Sequence, residues 1–491
     1  MLSRRLFLHL AGSSGFSIAG AGLLGCGDGA VGVPRPARGA GAALPDDPTK
    51  PWWLRQDYAP VEESEAFDLE VVGALPPALR GLYLRNGPNP QSGDSGHWFI
   101  GDGMLHGVRL EDGRAPWYRA RYVQTEALGQ SGEDGTIGPP GLTDHQANTA
   151  VLHHQGRVLC LEEVGVPYEV AAADLSTIGP YDFGGALQTA FTAHPKVDPV
   201  TGELLFFGYG VLDASVTLHR VDTRGVLVRS EKIPLKKAVM MHDFQVTATH
   251  VVFMDMPILF DIGLAIEGSA FPFRWAPENG ARIGVLPRDG DAGDVRWMEI
   301  DPCFVFHTWN AFHDESDPAR IHLDGVRYPT MWEKDASDFA STGAPQRFTI
   351  DTAAETVTLT QLDDIQVEFP RIDRRRQGLP YRYGYALGTY DPDGAGKVPD
   401  LGLVVKYDHQ TGAREVHELA PGQELDEALF VPDPGGKGED EGWLLAYVFD
   451  HADNRSQLLV LDATDVAAAP VARVLLPTRV PHGFHGEFVA G

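Results

Sequence analysis

Imidazole is well suited to holding a transition metal, and four of the 18 histidines stand in settings that fit that role. His194 lies in TAHPKVDPVTGELLFF, His242 in MMHDFQVT, His307 in FVFHTWNAFHD and His485 in PHGFHGEF. Each is flanked by apolar or aromatic residues, as expected of a side chain turned into a dry interior. Taken singly, each reads as a satisfied core residue rather than a ligand. A fold that brought the four to one point would reverse that reading and make them the cage of one catalytic metal ion.

Such a fold is suggested by the strand pattern. From Trp52 onward, short apolar runs such as VLCLEEV, ELLFFGYGV, HVVFMDM, LGLVVKYD, GWLLAYVFD and QLLVLDA alternate with Gly, Asp, Asn and Pro. VDPVTGELL, RVDTRGVLV and YDHQTGAREV each place Asp and Gly in a short loop between two strands, a hairpin signal. Helical patterns are scarce; VPYEVAAADL and LDATDVAAAP come nearest. Many hairpins over so long a chain point to four-stranded sheets arranged radially, a β-propeller, with an array of β-sandwiches as the structural alternative. In a propeller the innermost strand of each blade faces the axis, so distant histidines can meet there.

Composition sets the outer limits. The 491 residues are 43% hydrophobic and 22% charged, with 56 Gly and 36 Pro, which suits a large core built from strands and turns. The formal charge of −28 repels phosphate backbones and argues against nucleic acid as a partner. Cys26, Cys160 and Cys303 fit neither a disulfide framework nor a CxxC metal pattern, and Cys160 and Cys303 read as small buried apolar residues.

The N-terminus reads as an address. Arg4-Arg5 within SRRLFL is a twin-arginine pattern, and Leu23-Leu24-Gly25-Cys26 resembles a lipobox in which Cys26 would carry lipid. Residues 1–26 are therefore expected to be a signal, with a periplasmic or membrane-anchored product; an ordinary cleaved signal is the alternative. Residues 27–50, rich in Gly, Ala and Pro, are expected to form a flexible tether, and residues 51–491 a single folded domain.

LRNGPNP (84–90) and GDGMLHG (101–107), followed in order by TAHPKVDPVTGEL, MMHDFQVT, FHTWNAF, EFPRID and GFHG, resemble the signatures of the carotenoid cleavage oxygenases, the family of apocarotenoid and stilbene dioxygenases. The resemblance runs from about Trp52 to the C-terminus. It implies an all-β, seven-bladed propeller with a dome of loops over one face. It also implies one Fe(II) per chain on the axis, ligated by His194, His242, His307 and His485, with two coordination positions left free. His482, just before GFHG, is not a ligand in that pattern. Glu163, Glu368 and Glu427 match the acids that orient three of the histidines; the sequence does not say which histidine lacks such a partner. Thr149 matches a small residue near the open metal position.

Two departures stand out. Glu162, beside Glu163, occupies a slot usually filled by an aromatic residue. His313, followed by Asp314, comes after NAF where relatives commonly have Glu; either a hydrogen bond near His307 is altered or Asp314 substitutes for that Glu.

What the resemblance implies for activity is insertion of O2 across a conjugated C=C bond of an apolar polyene, giving two carbonyl products. An apocarotenoid or carotenoid is favoured over a stilbene, because no clear lysine precedes Ala147-Asn148-Thr149 to meet a phenol. An isomerase fits an exported protein less well. The apolar stretch 256–275, MPILFDIGLAIEGSAFPFRW, reads either as part of a substrate tunnel or membrane-contacting patch, or as a loop packed over the propeller. Two readings from other classes remain: a metal-dependent propeller hydrolase, which would use a hard cation held by carboxylates, and a non-catalytic binding propeller.

Overall fold

The structure is a computed structural model and describes residues 41–129, 141–337, 341–389 and 401–491. The expected signal and the first part of the expected tether lie outside the described residues. The rest of that tether, 41–50, is held against the body. The Gln56 N–H donates to the Pro45 carbonyl, the Lys50 ammonium to the Gly93 carbonyl, and the Arg55 guanidinium to Asp46. The folded part therefore starts earlier than Trp52, because Asp46 and Lys50 find polar partners that composition did not reveal.

The regular structure among the described residues is almost all strand, and seven sheets make the blades of a propeller. Five follow chain order, each a meander of antiparallel strands. Blade one comprises Ala150–His154, Arg157–Leu161, Tyr168–Val170 and Thr177–Pro180. Blade two comprises Lys196–Val197, Leu204–Gly210, Asp213–Val221 and Leu227–Pro234, and blade three Gln245–Val246, His250–Asp255, Ala281–Pro287 and Arg296–Ile300. Blade four is Phe304–His313, Arg320–Tyr328, Ala344–Asp351 and Thr356–Gln361; blade five is Val367–Ile372, Tyr383–Thr389, Leu401–Asp408 and Ala413–Glu418. The three sequence hairpins each join two of these strands. Blade six pairs Gly442–Asp450 with Arg455–Asp462, Ala472–Leu475 and, from the front of the chain, Val71–Gly73. Its inner edge is broken: Gln423–Leu425 and Leu429–Pro432 both pair with Gly442–Asp450, and between them Glu427 and Ala428 fall outside the pairing.

Blade seven closes the ring. The C-terminal strand Gly486–Ala490 pairs with Gly81–Pro88, which leads to Gly103–Glu111, Arg114–Tyr122 and Ser64–Phe67. Joining the two ends of the chain in one sheet leaves no unpaired edge between the first and last blades. Between the blades lie apolar layers, one of them built from Leu82, Leu84, Leu105, Val151, Cys160 and Val489, so Cys160 is a packing residue as expected. Cys303 is likewise buried and free.

The scarcity of helix extends to the two segments that come nearest to a helical pattern. VPYEVAAADL contains the strand Tyr168–Val170 followed by a turn, and LDATDVAAAP is the end of Arg455–Asp462 followed by turns. Alanine content suggested helix, but strand pairing in the blades overrides that weak propensity. The one α-helix among the described residues is Ile262–Ile266, capped by Asp261, whose carboxylate accepts the Gly263 and Leu264 N–H groups. It sits in the 256–275 stretch, which forms a two-stranded extension, Ile258–Phe260 with Phe273–Trp275, out of blade three. The packed-loop reading holds in part: Phe271, Phe273 and Trp275 pack on a core cluster shared by blades three to five, while Ile262 and Ile266 are 63% and 76% exposed.

Because ring closure rests on Gly486–Ala490, deleting residues 486–491 should abolish the cooperative unfolding transition in calorimetry. Wild-type melting of the truncated chain would contradict this account of closure.

Candidate metal centre

Each blade delivers one residue of the site to the axis. His194 stands two residues before Lys196–Val197, His242 three before Gln245–Val246, and His485 immediately before Gly486–Ala490. All three lie where the chain enters an innermost strand. His307 sits within Phe304–His313, where the pairing register shifts between Val305 and Thr308; this bulge turns its side chain off the ladder. Glu368 occupies a similar irregularity between Glu368 and Arg371, and the following Phe369 takes a left-handed φ of 53°. Glu427 projects from the break in the inner edge of blade six. Glu163 follows the second strand of blade one.

The four histidines converge. Their candidate ligand atoms all lie within 4.8 Å of one another. The Nε2 of His242 is 3.0 Å from that of His194 and 3.1 Å from that of His307. The rings of His194 and His485 are centred 4.5 Å apart, and those of His307 and His485 4.7 Å.

Three of the four are oriented from behind by carboxylates. His307 Nδ1 donates to Glu368 at 2.6 Å, His485 Nδ1 to Glu427 at 2.8 Å, and His242 Nδ1 to Glu163. These bonds put the proton on Nδ1 and leave the Nε2 lone pair facing the axis. The fourth histidine, whose identity the sequence left open, is His194: among the described residues no carboxylate meets its ring, and it is held by its backbone N–H donating to Thr192 Oγ1 at 3.1 Å.

The carboxylates are themselves anchored, as buried charges must be. Tyr209 donates to Glu163 at 2.5 Å, and Tyr328 to Glu368 at 2.9 Å. Arg371 grips Glu427 with two bonds of 2.7 and 2.6 Å, and the Gly486 N–H adds a third at 2.8 Å. Against the penalty of burial, Arg371 and His485 hold the Glu427 carboxyl well below the usual carboxylate range. Burial, and then the neighbouring imidazoles, push the His194 pKa well below its ordinary value, and burial takes His485 down to about 4 despite Glu427. Both rings are neutral at neutral pH, with lone pairs available.

A second set of bonds ties the ligand-bearing strands to each other. Lys196 donates to Asp243 at 2.7 Å, and Asp243 accepts the Thr308 hydroxyl at 2.5 Å and its N–H at 3.0 Å. These residues neighbour His194, His242 and His307 in sequence, so blades two to four are linked just where they carry ligands. The glycines of GFHG have a steric role. A Cβ on Gly483 would lie 1.4 Å from the Arg85 guanidinium, and one on Gly486 2.7 Å from the Leu84 carbonyl.

His482 takes no part in the cluster. Its Nδ1 meets Asp426 at 2.9 Å and its Nε2 meets Asp57 at 3.0 Å. With a carboxylate at each nitrogen it carries both protons, and no lone pair remains for a metal, although Asp57, Glu424 and His482 lie close enough to form a second candidate group. The expectation that His313 and Asp314 act near His307 fails. His313 bonds Thr247 and Thr249, and Asp314 bonds His322 and Ser316. Six residues of strand, about 20 Å at the usual rise, separate His313 from His307.

Three of the four imidazoles, those of His242, His307 and His485, line a cavity of about 730 Å3 whose walls include Phe99, Phe271, Phe306, Phe369 and Phe484. Thr149 lines it too, and its carbonyl accepts the His485 N–H at 3.1 Å, so Thr149 braces a histidine as well as facing the cavity. Loops from several blades and the 256–275 extension roof this space. Sequence reasoning missed Tyr209, Tyr328 and Arg371. Arg371 was visible three residues after Glu368 within EFPRID; the tyrosines carry no local signal.

The donor set fits a transition ion. Several neutral nitrogen lone pairs pointed at one another repel unless a cation lies between them, and imidazole suits the divalent ions of the iron–zinc range. Glu368→Gln would keep an acceptor for Tyr328 while weakening the hold on His307. Its metal affinity, measured by chelator competition, should fall roughly 10- to 100-fold; an unchanged affinity would remove Glu368 from the site.

Comparison with known proteins agrees with this geometry. The family described as retinal pigment epithelial membrane protein matches residues 58–490. A carotenoid cleavage oxygenase of Mycobacterium tuberculosis is 37% identical, over 89% of this chain and 97% of its own. Among solved structures, the lignostilbene dioxygenase of Pseudomonas brassicacearum superposes with a TM-score of 0.83 at 29% identity, covering 92% of this chain and 100% of that one. A cobalt-substituted Synechocystis ACO superposes with a TM-score of 0.78 at 29% identity, covering 88% and 96%. With a blade-by-blade histidine cluster and a family match over nearly the whole described body, the chain belongs to the carotenoid cleavage oxygenase family.

Proposed function

We propose that this protein is an Fe(II)-dependent dioxygenase that cleaves a conjugated C=C bond of an apocarotenoid or carotenoid. The observation that carries this reading is a cluster of four imidazoles, three of which line an apolar cavity. In the reaction the double bond breaks and each carbon takes one atom of O2, so two carbonyls form and no external reductant is needed. A ferrous ion bound by the four histidines would supply the redox chemistry that makes O2 reactive towards an alkene.

The chain's own residues do the rest. Phe99, Phe271, Phe306, Phe369 and Phe484 bind the polyene through its apolar surface and exclude water. Glu163, Glu368 and Glu427 hold the Nδ1 protons and so keep three rings aimed at the axis. Thr149 braces His485 and narrows the cavity beside it.

The mouth of the cavity supports access from a membrane surface. Leu212, Ile262 and Ile266 line the cavity and are each more than half exposed, an apolar cluster at the entrance. No helix among the described residues is long and apolar enough to cross a membrane, so contact would be peripheral. Arg4-Arg5 and Cys26 support export by the twin-arginine route to the periplasm or to a lipid anchor. An Ile262→Asp/Ile266→Asp double variant should lose most of its co-sedimentation with liposomes at unchanged melting temperature; equal binding would sink the membrane proposal.

The cleavage reading is tested by anaerobic iron loading followed by oxygen uptake over apocarotenals, carotenes and hydroxystilbenes. It expects uptake with an apocarotenal or carotene and one pair of carbonyl products per O2. Purified protein that carries calcium and no iron, or iron-loaded protein that consumes no oxygen, would overturn it.

A further inference from the structure

One buried carboxylate on the cavity wall is not spent on the four clustered histidines. Glu162 lines the cavity and is 8% exposed. Its Oε2 accepts the Ala147 N–H at 2.7 Å and lies 3.0 Å from His145 Nδ1. His145 Nε2 must donate, because its partner at 2.8 Å is the Val166 carbonyl. The Ala147 N–H also reaches His145 Nδ1, at 3.2 Å. Both contacts fall on Oε2, and among the described residues no donor meets Oε1. Gln146, which also lines the cavity, leaves its side-chain amide without a protein partner among the described residues.

A carboxylate buried in an apolar chamber with one oxygen unpaired is costly unless something entering the chamber donates to it. A hydroxyl does so; a ketone would set lone pairs against lone pairs, and a hydrocarbon would leave the oxygen dry. We propose that Glu162, with Gln146 beside it, selects substrates bearing a hydroxyl group. Glu162 accepts the hydroxyl proton and the Gln146 amide donates to the hydroxyl oxygen. The hydroxyl can belong to a ring alcohol at the end of a polyene or to a phenol on a stilbene. The inference rests on the cleavage reading above for its substrate skeletons, but not for the binding itself.

The variant Glu162→Gln tests it. The carboxamide oxygen can still accept from Ala147, while its NH2 replaces Oε1 as the group facing the cavity, a donor in place of an acceptor. Metal content and melting temperature serve as the check on folding, and Glu162→Ala gives a second variant without either group. Dissociation constants by tryptophan quenching, and kcat/KM where turnover occurs, are compared across hydroxy-, keto- and unsubstituted apocarotenals of one chain length. The same comparison is made for 4-hydroxystilbene against its methyl ether.

The wild type should favour the hydroxylated member of a pair roughly 10- to 100-fold. In Glu162→Gln that preference should fall at least tenfold while the keto compound gains, and in Glu162→Ala it should vanish. Preference in the polyene series alone assigns the hydroxyl to a ring alcohol; preference in the stilbene series alone assigns it to a phenol. Equal binding of both members by the wild type, or a preference that survives in Glu162→Gln, overturns the inference. Selective binding with no cleavage would instead overturn the cleavage reading and leave the Glu162 subsite standing.

Discussion

Lone pairs of four imidazoles, aimed at one point in a dry interior, repel each other, and much of this molecule serves to hold them there. The bond that achieves it is the one from Nδ1–H to a buried carboxylate. It fixes the tautomer, stops the ring from turning, and places negative charge behind a site built for a cation. Three histidines have it, and each carboxylate is in turn gripped by a tyrosine or by Arg371. Without those anchors the acids would be as costly to bury as the histidines are to crowd.

The propeller suits this task because it solves a convergence problem. Residues 163 and 485 are far apart in sequence, yet each blade brings its inner edge to the same axis. One blade gives Glu163, four give the histidines, and two give Glu368 and Glu427. Fine placement comes from breaks in regularity: a bulge at His307, another after Glu368, and a gap in the inner edge that frees Glu427. The link from Lys196 through Asp243 to Thr308 then locks three ligand-bearing strands together. Rigid strands position the metal ligands, while the loops that roof the cavity shape what can reach them.

Much of this was legible in the sequence, and the limits have physical causes. Hairpins such as VDPVTGELL declare themselves through turn chemistry, so the strands and their meanders could be read directly. The alanines of VPYEVAAADL give the nearest approach to a helical pattern, but propensity is weak beside the pairing of Tyr168–Val170 with its neighbours. The four histidines could be selected by their ordered motifs, but not the identity of the one without a carboxylate. That depends on which blade faces His194, a fact of three-dimensional arrangement. Tyr209 and Tyr328 escaped for the same reason. They act through hydroxyls at the far end of long side chains, and ordinary strand tyrosines look identical in sequence. His313 and Asp314 stood out as a departure from pattern, yet distance along the strand takes them out of the site.

The central claim is that four neutral histidines, and no carboxylate or thiolate, make the metal's protein shell. X-ray absorption at the iron edge of the loaded protein tests it most directly. The account predicts a first shell of nitrogen and oxygen scatterers with the multiple-scattering signature of four imidazoles, and no sulfur. A shell dominated by carboxylate oxygens, or one with two imidazoles or fewer, would contradict it.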